Sequence, residues 1–260
     1  MTYHNRQQQL FLTLKSIQRQ YDDDIEIIII DDASDNECTM AKPVADQFHD
    51  MDIKVTHIPS ENKWWTNPSV PYNMGFKQAT GEIIVITNSE GFHIGNTIEY
   101  IRSRLNSRNY LSFSAYTTLQ QNHNELTAIT GCKASALDST MLNLLKPMQP
   151  KQWYNHPMLR PTGYHFLSAI TKENLDQIGG FNEIFASGYC FDDDEFVWRI
   201  REAGIYIDII DPTMFMVVHQ WHSKNPAMRG GCPLWEKNRQ IWISITGGKR
   251  LDDRLPEARN

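Results

Sequence analysis

Residues 27–30 are four consecutive isoleucines, preceded by Ile25 and Glu26 and stopped by Asp31 and Asp32. β-Branched side chains favour extended backbone, and a strand that is apolar on both faces must be covered on both. The neighbouring segments can supply such cover. Leu10, Leu14 and Ile17 fall at helical spacing, which predicts an amphipathic helix over 7–20. The alternation continues with a helix over 40–49, a strand over 53–58, a helix over 70–79 and a second buried strand over 82–87. It predicts an α/β fold with one mixed, mostly parallel sheet flanked by helices. Ligands of such sheets sit beyond the carboxyl ends of the strands, where Asp31, Asp32 and the run Asn88, Ser89, Glu90 fall.

The second half is less regular. Strands are expected over 110–116, 165–170, 205–210 and 214–219, with a helix over 172–178 capped by Thr171. Residues 118–160 have weak periodicity and the turn-prone steps Lys146-Pro147 and His156-Pro157, and are read as loops. The charged tail 249–260 is expected to fray. With no linker or repeat, residues 1–260 read as one domain, residues 1–100 forming one half and 101–248 the other.

Asp192, Asp193, Asp194 and Glu195 lie between Phe191 and the helically spaced Phe196, Val197 and Ile200. A solvated acidic run has polar flanks, whereas this one is tied to a core. Adjacent carboxylates beside apolar residues titrate as a coupled set with raised pKa values, which suits a base or a metal site. The alternative is a helix N-terminus whose dipole favours the acids.

With 25 basic and 31 acidic residues the net charge is −6, which argues against a nucleic-acid-binding surface. Cys38, Cys132, Cys190 and Cys232 form no CxxC pair, so reduced thiols are expected. No apolar run approaches the roughly 20 residues of a membrane span, and residues 1–9 are polar, so the chain reads as cytoplasmic.

Four segments in order resemble family 2 glycosyltransferases of the GT-A fold: Thr2-Tyr3-His4-Asn5-Arg6, residues 27–34, Asn73-Met74-Gly75 with residues 79–84, and Gly179-Gly180-Phe181-Asn182-Glu183 with Asp192-Asp193. The last is similar to a galactosyltransferase-type acceptor-side motif. The resemblance implies inverting transfer of a sugar from a nucleotide-sugar donor, a UDP-, GDP- or dTDP-sugar, to a glycan or other hydroxyl acceptor. Surface polysaccharide or glycan assembly is a family-level expectation. The first half would bind the donor and the second the acceptor. Asp193, assisted by Asp192, would be the catalytic base, while Thr2, Arg6, Asp31, Asp32, Asn73 and Asn88 would meet the donor. Trp64 and Trp65, with Gly180 and Phe181, would face the acceptor, although a tryptophan pair is also a common core anchor.

The sequence departs from the family where Asp-x-Asp would hold a divalent cation: Asn88, Ser89 and Glu90 stand there. Glu90, with His219 and His222 after the last apolar strand, is the remaining ligand set for Mn²⁺ or Mg²⁺. The pattern around Pro71-Tyr72-Asn73 also lacks the family's arginine, leaving Arg6 or Lys77 to meet phosphate. A non-catalytic nucleotide-sugar or carbohydrate-binding module on a degenerate fold is the alternative, and a metal hydrolase on the same three ligands is a further one. Asp194 and Glu195 are expected to pair with Arg199 and Arg201. The family's buried first strand precedes the Thr2–Arg6 loop, and that strand is missing from the sequence; either the chain is truncated or the sheet is completed in another way.

Overall fold

A computed structural model describes residues 1–122, 125, 129, 133–223 and 231–248. The isoleucine run lies in strand β2 (Glu26–Asp31), which pairs in parallel with β3 (Asp52–His57) and, at its carboxyl end, with the two-residue β1 (Thr2–Tyr3). Helices α1 (Gln7–Gln18), α2 (Ala41–Gln47) and α3 (Ser69–Gln78) connect and cover these strands. Leu10, Leu14 and Ile17 bury against Ile27, Ile29, Val44 and Phe48, the cover that the β2 composition requires.

The chain continues through β4 (Ile83–Thr87), β5 (Gly91–Ile94), α4 (Thr97–Arg104), β6 (Asn109–Phe113) and β7 (Ala115–Thr117). Residues 118–160, read as loops, also contain helix α5 (Leu137–Leu144) and strand β8 (Trp153–Asn155). Their apolar residues bury in one cluster: Leu137, Met141 and Trp153 pack with Phe92, Tyr116 and Val218. Then follow β9 (Leu167–Thr171), α6 (Lys172–Ile178), α7 (Asp192–Glu202), β10 (Tyr206–Ile210), β11 (Met216–His219) and α8 (Pro233–Thr246). Thr171 caps α6 by accepting from the Asn174 N–H, as its sequence position predicts.

The expected mixed α/β fold is present, but its hydrogen-bonded ladders are three: β1-β2-β3, β10-β6-β9-β4 and β5-β11-β7-β8. Two local causes separate them. The segment expected as one strand over 110–116 breaks at Ser114, whose hydroxyl donates to the Ile210 carbonyl, so that β6 and β7 join different ladders. Among the described residues no strand lies between β2 and β4. An apolar cavity of about 210 Å³ lies there, lined by Met1, Ile28, Tyr72, Phe76, Ile84 and Ile86 among others. Thr2 and Tyr3, in the segment expected as a loop, form β1 against Ile30 and Asp31. The Met1 ammonium, which follows the same line, donates 2.8 Å to the Ile28 carbonyl, and burial pushes its pKa down to about 5.

Candidate active site

The carboxyl ends of β1, β2, β4 and β11 supply the side chains of one cleft. Glu90 follows β4, and the β5–β11 register sets Gly91 opposite His219, placing Glu90 beside the end of β11. The Gln220 N–H donates to the Glu90 carbonyl at 2.9 Å. Arg6 Nη1 lies 2.8 Å from Glu90 Oε1, His219 Nε2 3.4 Å and His222 Nε2 3.6 Å. Burial alone would raise the Glu90 carboxyl, but the His219 contact and the Arg6, His219 and His222 charges outweigh it and hold the group well below the usual carboxylate range. Ligand atoms of Glu90, His219 and His222 lie within 4.8 Å of one another. One carboxylate and two imidazoles on such a spacing fit a borderline divalent cation such as Mn²⁺ better than the all-oxygen preference of Mg²⁺. Both histidines named from the sequence thus reach the one remaining carboxylate of the Asn88-Ser89-Glu90 turn.

Asp31 and Asp32 divide sharply. Asp31 is fully buried: Oδ1 accepts from the Ser34 N–H and Oδ2 lies 3.1 Å from His57 Nδ1, so its carboxylate is committed to shaping the loop after β2. Asp32 Oδ1 accepts from the Trp65 indole N–H and Oδ2 from Lys63, both at 2.8 Å. Trp65 therefore buries next to Asp32, while Trp64 remains 62% exposed. Thr66 and Asn67 bond the Ala186 carbonyl, so the tryptophan loop bridges the nucleotide-loop side and the segment that leads to Asp192.

Tyr72 stands between the two acidic centres. Its hydroxyl donates to Asn88 Oδ1 at 3.0 Å and contacts Thr2, and the charges of Glu90, Asp192 and Asp193 all act on it. Where the sequence lacks the family's arginine, this phenol links β1, the Asn88 turn and the acidic helix. Lys77, further along α3, lines a separate groove with Lys172 and Gly180.

The acidic run opens α7. Cys190 and Phe191 both have positive φ, 61° and 68°, which turns the chain abruptly into the helix. Asn238 on α8 holds that turn by donating to the Phe185 and Cys190 carbonyls, and its Oδ1 packs so closely on Gly188 that a Cβ there would meet it at 1.9 Å. Glu195 pairs with Arg199 at 2.7 Å as expected, whereas Asp194 accepts from the Tyr164 hydroxyl at 2.6 Å instead of from an arginine. Asp192 and Asp193 remain. Burial first, then the Asp193 charge, raises Asp192 to about 8; burial first, then the Asp194 charge, raises Asp193 to about 7, with 36% of its side chain reaching solvent. His165 Nδ1 stands 3.1 Å from Asp193 Oδ1, out of hydrogen-bond alignment, in a box formed by Tyr72, Phe181 and Phe196.

Three of the expected contact residues are instead committed to this scaffold. Asn73 donates to the Phe181 carbonyl and Glu183 and accepts from the Phe181 N–H, which ties α3 to the loop before α7. Gly180 has φ +69° and a Cβ on it would lie 2.5 Å from Asn73 Oδ1. Phe181 is buried, stacked on Phe196 at 4.4 Å between ring centroids. They tie α3 to the loop before α7 and pack on Phe196 of that helix, with the Phe181 side chain buried. The sequence reading missed His165, Tyr164 and Lys63; each is a single polar residue outside any motif, with its role set by long-range packing.

Parallel strands ending in a nucleotide-type loop, a carboxylate-histidine cluster after β4 and an acidic helix start across the cleft define a glycosyltransferase of the GT-A fold. Residues 1–167 match Glycosyl transferase family 2, and the chain belongs to that family. Residues 159–222, which carry the acidic run and both histidines of the cluster, match the N-terminal domain of galactosyltransferase. No curated protein matches the chain in sequence. Among solved structures, S. aureus TarS is similar at TM-score 0.59 and 15% identity over 99% of this chain and 40% of that one. The mannosyltransferase PcManGT from Pyrobaculum calidifontis, in complex with GDP-Man and Mn²⁺, gives 0.54 and 16% over 96% and 64%. GalNAc-T7 with UDP, GalNAc and Mn²⁺ gives 0.60 and 13% over 94% and 47%. The chain thus spans less than two thirds of each, and at these identities the likeness is one of fold. Among the described residues no helix is long and apolar enough to cross a membrane.

Proposed function

We propose that this chain transfers a sugar, with inversion, from a nucleoside diphosphate sugar to an acceptor hydroxyl. The observation that carries the reading is the opposed electrostatics on the two sides of Tyr72. Glu90 is held ionised among cationic groups, whereas Asp192 and Asp193 are pushed up towards neutral pH. Titratable groups driven apart by their surroundings mark a division of labour between charge stabilisation and proton transfer.

Asp193, the more open of the pair, takes the proton of the acceptor hydroxyl as that oxygen bonds to the anomeric carbon. The bond from that carbon to the diphosphate breaks, and its electron pair leaves with the nucleoside diphosphate. General-base help contributes about 10² to 10⁴ in rate, and positioning and leaving-group stabilisation supply the rest. Glu90, His219 and His222 would hold a divalent cation, Mn²⁺ by donor chemistry, which when bound neutralises charge on the departing diphosphate. Asp32, Thr2 and Asn88 line the donor side, and Arg6 is the nearest guanidinium for phosphate oxygens. The Mn²⁺ complexes of PcManGT and GalNAc-T7 support the metal assignment by analogy of fold.

The Asn88-Ser89-Glu90 departure favours a second reading, a nucleotide-sugar-binding module without turnover. Nucleoside diphosphate release from UDP-, GDP- and dTDP-sugars, with and without Mn²⁺, separates the two. Metal-stimulated release supports the transferase, and saturable donor binding with no release supports the module.

A further inference from the structure

Three cationic or ligating groups converge on one oxygen of Glu90. Arg6 Nη1 is 2.8 Å from Oε1, with His219 Nε2 at 3.4 Å and His222 Nε2 at 3.6 Å, while Oε2 accepts from the Ser89 hydroxyl at 2.9 Å. The carboxylate is therefore fully subscribed, and the oxygen that faces both imidazoles is the one that the guanidinium covers. Among the described residues Glu90 is the only ion-pair partner of Arg6. Its side chain is 33% exposed, against 6% for Glu90, and it starts from the loop residue that precedes α1, where it makes no capping bond. The more exposed partner of this pair is thus the arginine, and the buried one is the carboxylate.

We propose that Arg6 and a divalent cation compete for Glu90 Oε1. The inference rests on reading Glu90, His219 and His222 as a metal seat. A cation ligated to that oxygen beside a guanidinium in hydrogen-bond contact sets two positive charges a few ångströms apart in a partly buried site, a repulsion that weakens the hold of each on Oε1. Metal binding therefore favours release of Arg6, and the released guanidinium is free for the phosphate oxygens of a donor, to which its planar fork is suited. The arginine serves as an internal counter-cation that keeps the cluster neutralised without metal and lowers its affinity for metal.

The test is calorimetric titration of Mn²⁺ alone, without nucleotide or turnover, into the full chain and into Arg6→Gln, Arg6→Lys and Glu90→Gln. Arg6→Gln should bind Mn²⁺ at least about tenfold more tightly than the parent, the equivalent of one charge-assisted hydrogen bond. Arg6→Lys keeps a cation for Glu90 and should stay near the parent, and thermal melts of each variant establish that it is folded. Equal or weaker Mn²⁺ binding by folded Arg6→Gln, with Glu90→Gln still abolishing it, overturns the competition and leaves the metal seat standing. Undiminished binding by Glu90→Gln, or none by any protein, overturns both.

Discussion

The imidazole of His165 lies 3.1 Å from the carboxylate of Asp193, and burial pushes its pKa down to about 4, so the contact at neutral pH is between a carboxyl group and a neutral ring. The ring is fixed by Tyr72, Phe181 and Phe196. His165→Phe should keep the aromatic packing but lose this polar neighbour. Turnover should fall roughly 10-fold to 100-fold with donor KM unchanged, and the acidic limb of the pH–rate profile should move to higher pH. An unmoved limb would show that the ring only packs.

Asp193→Asn should reduce turnover by at least about 10²-fold while nucleotide-sugar binding, measured by calorimetry, stays within about twofold. In the parent, activity should rise with pH through the window near 7 to 8, in which the coupled pair loses its protons. Turnover of the variant near the parental rate would reassign the base.

The same raised values make the acidic pair a stability cost at working pH. Asp192 has an ordinary carboxyl pKa of 3.8 and is raised to about 8 in the fold. Between these values the folded state binds more protons than the unfolded one, so this group's contribution to stability falls as pH rises through the window. Asp192→Asn, which mimics the protonated form, should raise the denaturant midpoint at pH 8 by the equivalent of roughly 1–3 kcal/mol and change it little at pH 4. Taking the difference between variant and parent at each pH cancels the contributions of all other groups.

Glu90, His219 and His222 are legible in the sequence because each ends or follows a strand-like run, and strand ends in this fold class face one cleft. Asp192 and Asp193 were legible because four acids beside a helical apolar stripe are unusual. Asn73, Gly180 and Phe181 carry motif identities equally strong, yet they serve as scaffold, since a motif records which residues recur together and says nothing of whether they touch ligand or each other. Helix α5 carries an apolar face of its own, Leu137, Met141 and Leu144 at helical spacing, which the loop expectation for 118–160 leaves unused, whereas the three-residue β8 is set by its pairing with β7.

What the sequence alone determined is therefore the alternation of covered strands and helices, the family, and the residue types at the strand ends, all consequences of local pattern. The tertiary structure decided the pairings. It placed Arg6 on Glu90, Asp194 on Tyr164 and His165 beside Asp193, and left Asp192 and Asp193 side by side at the start of α7. These contacts join residues far apart in the chain, and their energies depend on burial and on distances of a few ångströms, quantities that exist only once the chain has folded.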